Sequence, residues 1–232
     1  MPHPIDPTRE ALLRAILPHV PFEGWSEAAF RRAARDAEVT VAEARAAAPR
    51  GAFDLAVEWH REGDRAMVRA LREAPGDGSG GMRMRDRVAH ALKARVAAMD
   101  EPEALRRSAA LFALPMNAST GAGLLWETAD AAWSALGDTS RDANWYTKRA
   151  TLAAVLASVA LFRLGDESPG AERTMEFVDR RIDDVMAFEA WKRGAARNPL
   201  LRPLAAPLGW LMGRVRAPER PQDLAGAWTE EP

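Results

Sequence analysis

Apolar side chains recur three and four residues apart along almost the whole chain, and no stretch of four or more residues alternates in the β sense. That spacing predicts an all-α protein. Asp6 or Thr8 caps a first helix whose Leu12, Leu13, Ile16 and Leu17 share one face, and Pro18 and Pro21 stop it. Ser26 opens a short second helix. Thr40 with Glu43 three residues on forms a capping box for a third, which Pro49 and Gly51 end. Six longer helices are predicted over residues 53–73, 84–99, 103–114, 118–136, 143–164 and 170–193. The last of these carries Met175, Val178, Ile182, Val185 and Met186 on one face, the pattern of a helix that packs on a partner.

A chain of 232 residues with 47% apolar and 28% charged residues is long enough to bury a sizeable core. The absence of Cys excludes disulfides, thiolate chemistry and Cys-ligated zinc. A formal net charge of -1 argues against broad nucleic-acid binding, which needs a positive face to displace counterions from phosphates. The start carries Asp6 and Glu10 without an apolar core, so neither a secretory signal nor a transit peptide is expected. The longest apolar run, Ala150 to Phe162, is too short for a bilayer and is closed by Arg163; it reads as a buried helix.

Pro75 to Gly81 reads as a flexible linker. Its Gly76, Gly78 and Gly81 match a G-x-G-x-x-G, but that motif needs a preceding strand and here follows a helix, so no cofactor is expected. The four His, at positions 3, 19, 60 and 90, include no pair at metal-ligand spacing. Asp86 with His90, and Asp183 with Asp184, read as surface groups. No nucleophile elbow, P-loop or H-E-x-x-H is present. No metal site and no enzyme activity are expected.

The three front helices have the layout of a helix-turn-helix, and their order resembles the N-terminal domain of TetR-type regulators. A reading helix needs side chains aimed at bases and phosphates. The third helix offers Arg45 and otherwise mostly Ala and Val. Over residues 1–63 eight cations face ten acids, the wrong sign for phosphate. A degenerate helix-turn-helix over residues 1–51 and no nucleic-acid partner are therefore expected. A ligand-responsive DNA-binding regulator of the same fold is the alternative.

Two further segments point outward. Between Ala190 and Pro218 lie six cations and no acid. On a helix Leu200, Leu201, Leu204, Leu208, Leu211, Met212 and Val215 form one apolar arc flanked by Arg202, Arg214 and Arg216, the pattern of an interfacial helix on an anionic membrane. A final core helix is the other reading, and Pro207 kinks the segment in either. Trp145 and Tyr146, beside Lys148 and Arg149, occupy one helical turn. Neighbours on a helix diverge by about 100°, so at least one of the two aromatics is expected at the surface. An exposed aromatic close to Arg is the composition of an interaction hot spot.

The block Gly137-Asp-Thr-Ser-Arg-Asp-Ala-Asn-Trp-Tyr-Thr-Lys-Arg149 resembles the signature of the ubiquinone-biosynthesis accessory family, lipid-binding proteins with a TetR-like fold. The likeness extends to Pro18–Ser26, Ala48–Gly51 and Asp179–Met186, and covers Arg9 to Trp191. The resemblance implies about nine or ten helices, a homodimer built on the last two body helices, and a body over residues 52–194. It also implies an apolar pocket for an isoprenoid lipid or quinone intermediate. A polyprenyl tail loses about 0.8 kcal/mol per exposed methylene, so presenting one requires a replacement cavity. The helices richest in large apolar residues place that cavity among Leu111, Leu114, Met116, Leu124, Leu125, Trp126, Trp133, Leu152 and Leu156, with Phe112 beside them. The resemblance further implies docking of the demethoxyubiquinone hydroxylase around Asp142, Trp145, Tyr146 and Arg149. It gives residues 195–232 a membrane-contacting role and sets the protein in the cytoplasm, peripheral on a bacterial inner membrane.

Overall fold

The computed structural model describes residues 6–74 and 81–197, with side chains as far as Phe188. Residues 75–80 of the linker and the expected apolar arc at 200–215 lie outside the described residues. Among the described residues there are ten α-helices and no strand. They are α1 (Pro7–Ile16), α2 (Val20–Glu23), α3 (Glu27–Asp36), α4 (Val41–Ala47), α5 (Ala52–Glu73), α6 (Met84–Ala97), α7 (Pro102–Ala113), α8 (Ala118–Ala135), α9 (Ala143–Leu164) and α10 (Glu172–Arg197).

The helix starts follow their caps. Asp6 accepts from the Thr8 amide at 2.9 Å, Ser26 accepts from the Ala29 amide at 3.2 Å, and Thr40 and Glu43 close the reciprocal box. The turn α2 was not anticipated, because Pro18 and Pro21 read as breakers. Pro21 instead sits in the first turn of α2, where a missing N–H has no intrahelical partner to lose. Gly51 starts α5 with φ at 62°, the left-handed region that a side chain strains against.

Two apolar cores form. The first gathers Leu12, Leu13 and Ile16 of α1, Phe30 of α3, Leu55 and Trp59 of α5, and Leu105 of α7. The helix-turn-helix-like segment is thus packed onto α5 and α7. The second core gathers Met67 and Leu71 of α5, Leu92 of α6, Ala129 of α8, Leu156 and Val159 of α9, and Val178 and Ile182 of α10. The 22-residue α5, about 33 Å long at 1.5 Å per residue, contributes to both cores and sets the distance between them. Lys93–Asp179 at 2.6 Å and Arg85–Asp183 at 2.6 Å tie α6 to α10, so Asp183 serves as a surface ion-pair partner. Val178 and Ile182 are buried and Val185 packs against the second core, Met175 is half-buried, and Met186 is exposed.

Candidate functional site

Where the two cores meet, the helices leave an apolar cavity of about 370 Å³. Its walls come from α5, α6, α7, α8 and α9, with Leu105, Phe112, Leu124, Leu125, Leu156 and Val159 supplying most of the large apolar surface. A Cβ at Gly121 would lie 2.9 Å from the Phe112 Cβ, so the missing side chain lets α8 approach α7 there. The size falls in the range of small-ligand pockets, roughly 300–1,000 Å³.

Three of the nine residues expected to line a cavity do so: Leu124, Leu125 and Leu156. The other six point elsewhere. Leu114 and Met116, 46% and 80% exposed, are at the end of α7 and in the turn to α8. Leu111 packs against the first core and Leu152 belongs to the second. Trp133 donates to the Lys148 carbonyl at 3.1 Å, and Trp126 joins an aromatic cluster on the protein's flank. Leu111, Trp126, Trp133 and Leu152 sit on the right helices but on other faces, because the crossing of α7, α8 and α9 selects which face meets the void. Met99, Leu105 and Val159 line it without having been expected.

One edge of the cavity is polar. Gly63 leaves room for the Arg95 guanidinium, whose Nη1 would lie 2.6 Å from a Cβ at that position. Arg95 Nε donates to Asp64 at 2.6 Å and Nη2 to the His60 carbonyl at 3.1 Å, and Nη1 contacts the Met99 sulfur. Burial, reinforced by the Arg95 charge, lowers the His60 pKa to about 3, so this ring is neutral at neutral pH. Arginine only donates, so His60 Nδ1 accepts from Arg95 and Nε2–H donates to Ser108 Oγ at 3.2 Å. The Ser108 hydroxyl in turn donates to the Leu105 carbonyl at 2.9 Å. Burial pushes the Asp64 carboxyl up, against Arg95 and the Thr128 hydroxyl, which lies 2.8 Å away.

The second candidate surface is built on the block at residues 137–149. Asp138, whose side chain is 3% exposed, accepts from Lys148 at 2.7 Å, Ser140 Oγ at 2.8 Å and Arg149 Nη1 at 3.0 Å. Burial raises this carboxyl, but those three donors overcome it and hold the pKa at about 2. Arg149 also donates to Asp130 at 2.6 Å and to the Trp145 carbonyl at 3.2 Å, and its guanidinium lies 4.0 Å from the Trp145 ring centroid. Arg149 was expected at the surface, yet it is 1% exposed. It reaches the outside through Trp145, which it supports from below. Tyr146 is exposed, and its ring meets Trp145 edge-on at 4.7 Å. Trp126 of α8 stands 5.9 Å from Trp145 and 6.4 Å from Tyr146. Asp142 is exposed and caps α9 through the Asn144 amide at 3.0 Å. Trp126, expected in the cavity wall, is instead brought to this cluster across the α8–α9 packing.

Three cations of the helix-turn-helix-like segment are ion-paired at its surface. Arg45 is bound by Glu27 at 2.5 Å, Arg31 by the same carboxylate at 3.1 Å, and Arg32 by Glu23 at 2.8 Å. Among the described residues no cluster of three or more His, Asp or Glu is placed to hold a metal ion, and no helix is long and apolar enough to cross a membrane.

These features define an all-α protein of TetR-like fold with an apolar cavity, open to solvent, between its helices. The fold matches that of a TetR transcriptional regulator from Nitrosomonas europaea with a TM-score of 0.62 at 17% identity, over 80% of this chain and 99% of the other. Residues 118–189 match the family model of COQ9. The ubiquinone biosynthesis protein COQ9, mitochondrial, of Homo sapiens is 29% identical over 184 residues, which is 75% of this chain and 56% of that protein. The corresponding Rattus norvegicus protein is 40% identical over 80 residues, 34% of this chain and 26% of its own length. That of Drosophila melanogaster is 27% identical over 80% of this chain and 57% of its own. The chain thus spans between about a quarter and somewhat over half of the relatives it matches. Its sequence likeness is to the COQ9 family of ubiquinone-biosynthesis proteins, and its fold is TetR-like, as the resemblance at residues 137–149 implied.

Proposed function

We propose that this protein is a non-enzymatic accessory of ubiquinone biosynthesis that takes an isoprenoid quinone intermediate into its cavity and presents it to the demethoxyubiquinone hydroxylase. The observation that carries this reading is the apolar cavity between the two cores, within a chain similar to COQ9. Moving a prenyl tail from bilayer to protein leaves its methylenes out of water, so the transfer gives up little hydrophobic free energy. Native mass spectrometry with lipid analysis of gently purified protein tests it: a dimer carrying isoprenoid quinone or its precursors is the expected result. A dimer free of lipid rejects the carrier role.

The cluster of Trp126, Trp145 and Tyr146 is the docking face in this reading. Tyr146→Ala, at an exposed position, weakens hydroxylase binding about tenfold or more, the effect of losing an aromatic anchor of 1.4 kcal/mol or above, roughly. The unfolding temperature stays within a few degrees of wild type, and unchanged affinity in a titration rejects the face. Trp145→Ala also weakens binding, with some cost in stability because Arg149 loses the ring it supports.

Residues 195–232, with the arc from Leu200 to Val215 and Arg202, Arg214 and Arg216, are proposed to hold the protein on an anionic membrane, peripheral on a bacterial inner membrane. Removing Pro199–Pro232 abolishes sedimentation with phosphatidylglycerol vesicles. Undiminished sedimentation rejects the membrane role.

A further inference from the structure

The wall of the cavity contains one donor that the protein leaves unmatched. Arg163 closes the apolar run of α9 and lines the cavity, with its side chain 8% exposed. Its Nη1 donates to the Asp166 carbonyl at 3.0 Å. Its Nε is buried and has no hydrogen-bond partner among the described residues. The nearest carboxylate is Asp100, 4.0 Å from Nη2 and 81% exposed, where water screens it. Asp166, the acid beside it, does not compensate. Its two oxygens are committed to the Ser168 amide and hydroxyl at 2.9 and 2.6 Å and to the Thr174 amide and hydroxyl at 2.8 and 2.5 Å.

The other polar groups on the wall are matched within the protein. Arg95 is held by Asp64 and His60, His60 by Arg95 and Ser108, Ser108 by Leu105, and Thr128 by Asp64. A buried guanidinium with a free N–H is costly where Leu or Met would fill the same wall. The cost is recovered when an oxygen acceptor arrives with a ligand, since a hydrogen bond from a cation is worth about twice a neutral one.

We infer that Arg163 is the head-group residue of this cavity, which takes an amphiphile whose carbonyl or carboxylate oxygen accepts from the Arg163 guanidinium while its apolar body lies among Leu124, Leu125, Leu156 and Val159. The inference rests on the lipid-binding reading above and adds the chemistry of the ligand's polar end. A carbonyl corresponds to a quinone-type head and a carboxylate to an acid, and both present the same acceptor.

The test uses the full chain and displacement of the neutral fluorophore N-phenyl-naphthylamine by dodecanoic acid, dodecyl methyl ketone and dodecane. Wild type prefers an oxygen-bearing ligand over dodecane by about ten- to hundredfold. Arg163→Met removes that preference and leaves dodecane unchanged. Preference for the acid alone identifies a carboxylate head, and preference shared by the ketone identifies a carbonyl. If Arg163→Met loses its helical circular dichroism, Arg163→Lys carries the test: it keeps the charge, lacks Nε, and reduces the preference for the ketone. A wild type that binds dodecane and the oxygenated ligands alike overturns the role of Arg163 and leaves the lipid cavity standing. Failure of the fluorophore and all three ligands to bind overturns the cavity reading, and the inference with it.

Discussion

Arg149→Met destabilises the protein by about 3 kcal/mol, the lower end of the cost of removing one partner from a buried ion pair, because Asp138 keeps Lys148 at 2.7 Å and Ser140 at 2.8 Å while its second oxygen loses the guanidinium. Arg149 is 1% exposed and the Asp138 side chain 3%, so water does not replace the lost contact. Urea unfolding followed by circular dichroism measures it, and a loss under about 1 kcal/mol, the size expected of a surface pair, would sink the assignment. Asp138→Asn added to Arg149→Met restores part of the loss, because the buried oxygen that faced the guanidinium no longer belongs to a charged group. The same cluster sets a pH dependence. The folded-state pKa of Asp138, about 2, lies below its ordinary 3.8, so the stability it contributes is present above pH 3.8 and declines as pH falls toward 2. That acid limb flattens in Arg149→Met. The aromatic face also loosens, since Arg149 holds the Trp145 carbonyl and lies against its ring.

On the proposed carrier role, Ala160→Trp lowers bound lipid at least about tenfold while leaving the fold intact. Ala160 lines the cavity from α9, and an indole there occupies space the ligand needs. Overpacking a filled core typically costs about 1–3 kcal/mol, but this residue faces a void, so the unfolding temperature is expected to hold or rise. Lipid content per protein, by extraction and mass spectrometry, is the readout. Wild-type lipid content in the variant would show that lipid rides elsewhere. The two variants separate the two proposed roles: Arg149→Met bears on stability and the proposed docking face, Ala160→Trp on the proposed ligand alone.

The local grammar of the chain was readable residue by residue. Asp6, Ser26 and the Thr40–Glu43 box marked helix starts because a cap is a contact over two or three residues. The expected start at Ala118 and both ends of the 143–164 helix match α8 and α9, since a run of 3.6-residue periodicity carries its own bounds. The helix expected to Met99 ends at Ala97, a difference of the kind that frayed ends give. The turn α2 escaped because Pro21 reads alike as a stop and as a first-turn residue, and only its neighbours distinguish them.

Sites were less legible than helices. At least one of Trp145 and Tyr146 was expected outside, and Tyr146 is, because adjacent helical residues cannot share one buried face. Arg149 was assigned to the docking surface by the family resemblance, and only the fold shows Asp138 folding back from the α8–α9 loop to bury it. Leu124, Leu125 and Leu156 were found on composition, as were Leu114 and Met116, which face solvent.

The sequence by itself determined the longer helices, the caps at Asp6, Ser26 and Thr40, and the family likeness, since each is written in neighbours along the chain. Only the tertiary structure decided where the cavity lies, which residues line it and that Trp126 joins Trp145. Those depend on how α5, α7, α8 and α9 cross, and a crossing is fixed by contacts between residues tens of positions apart, such as Arg61 with Glu127 or Trp25 with Ala104.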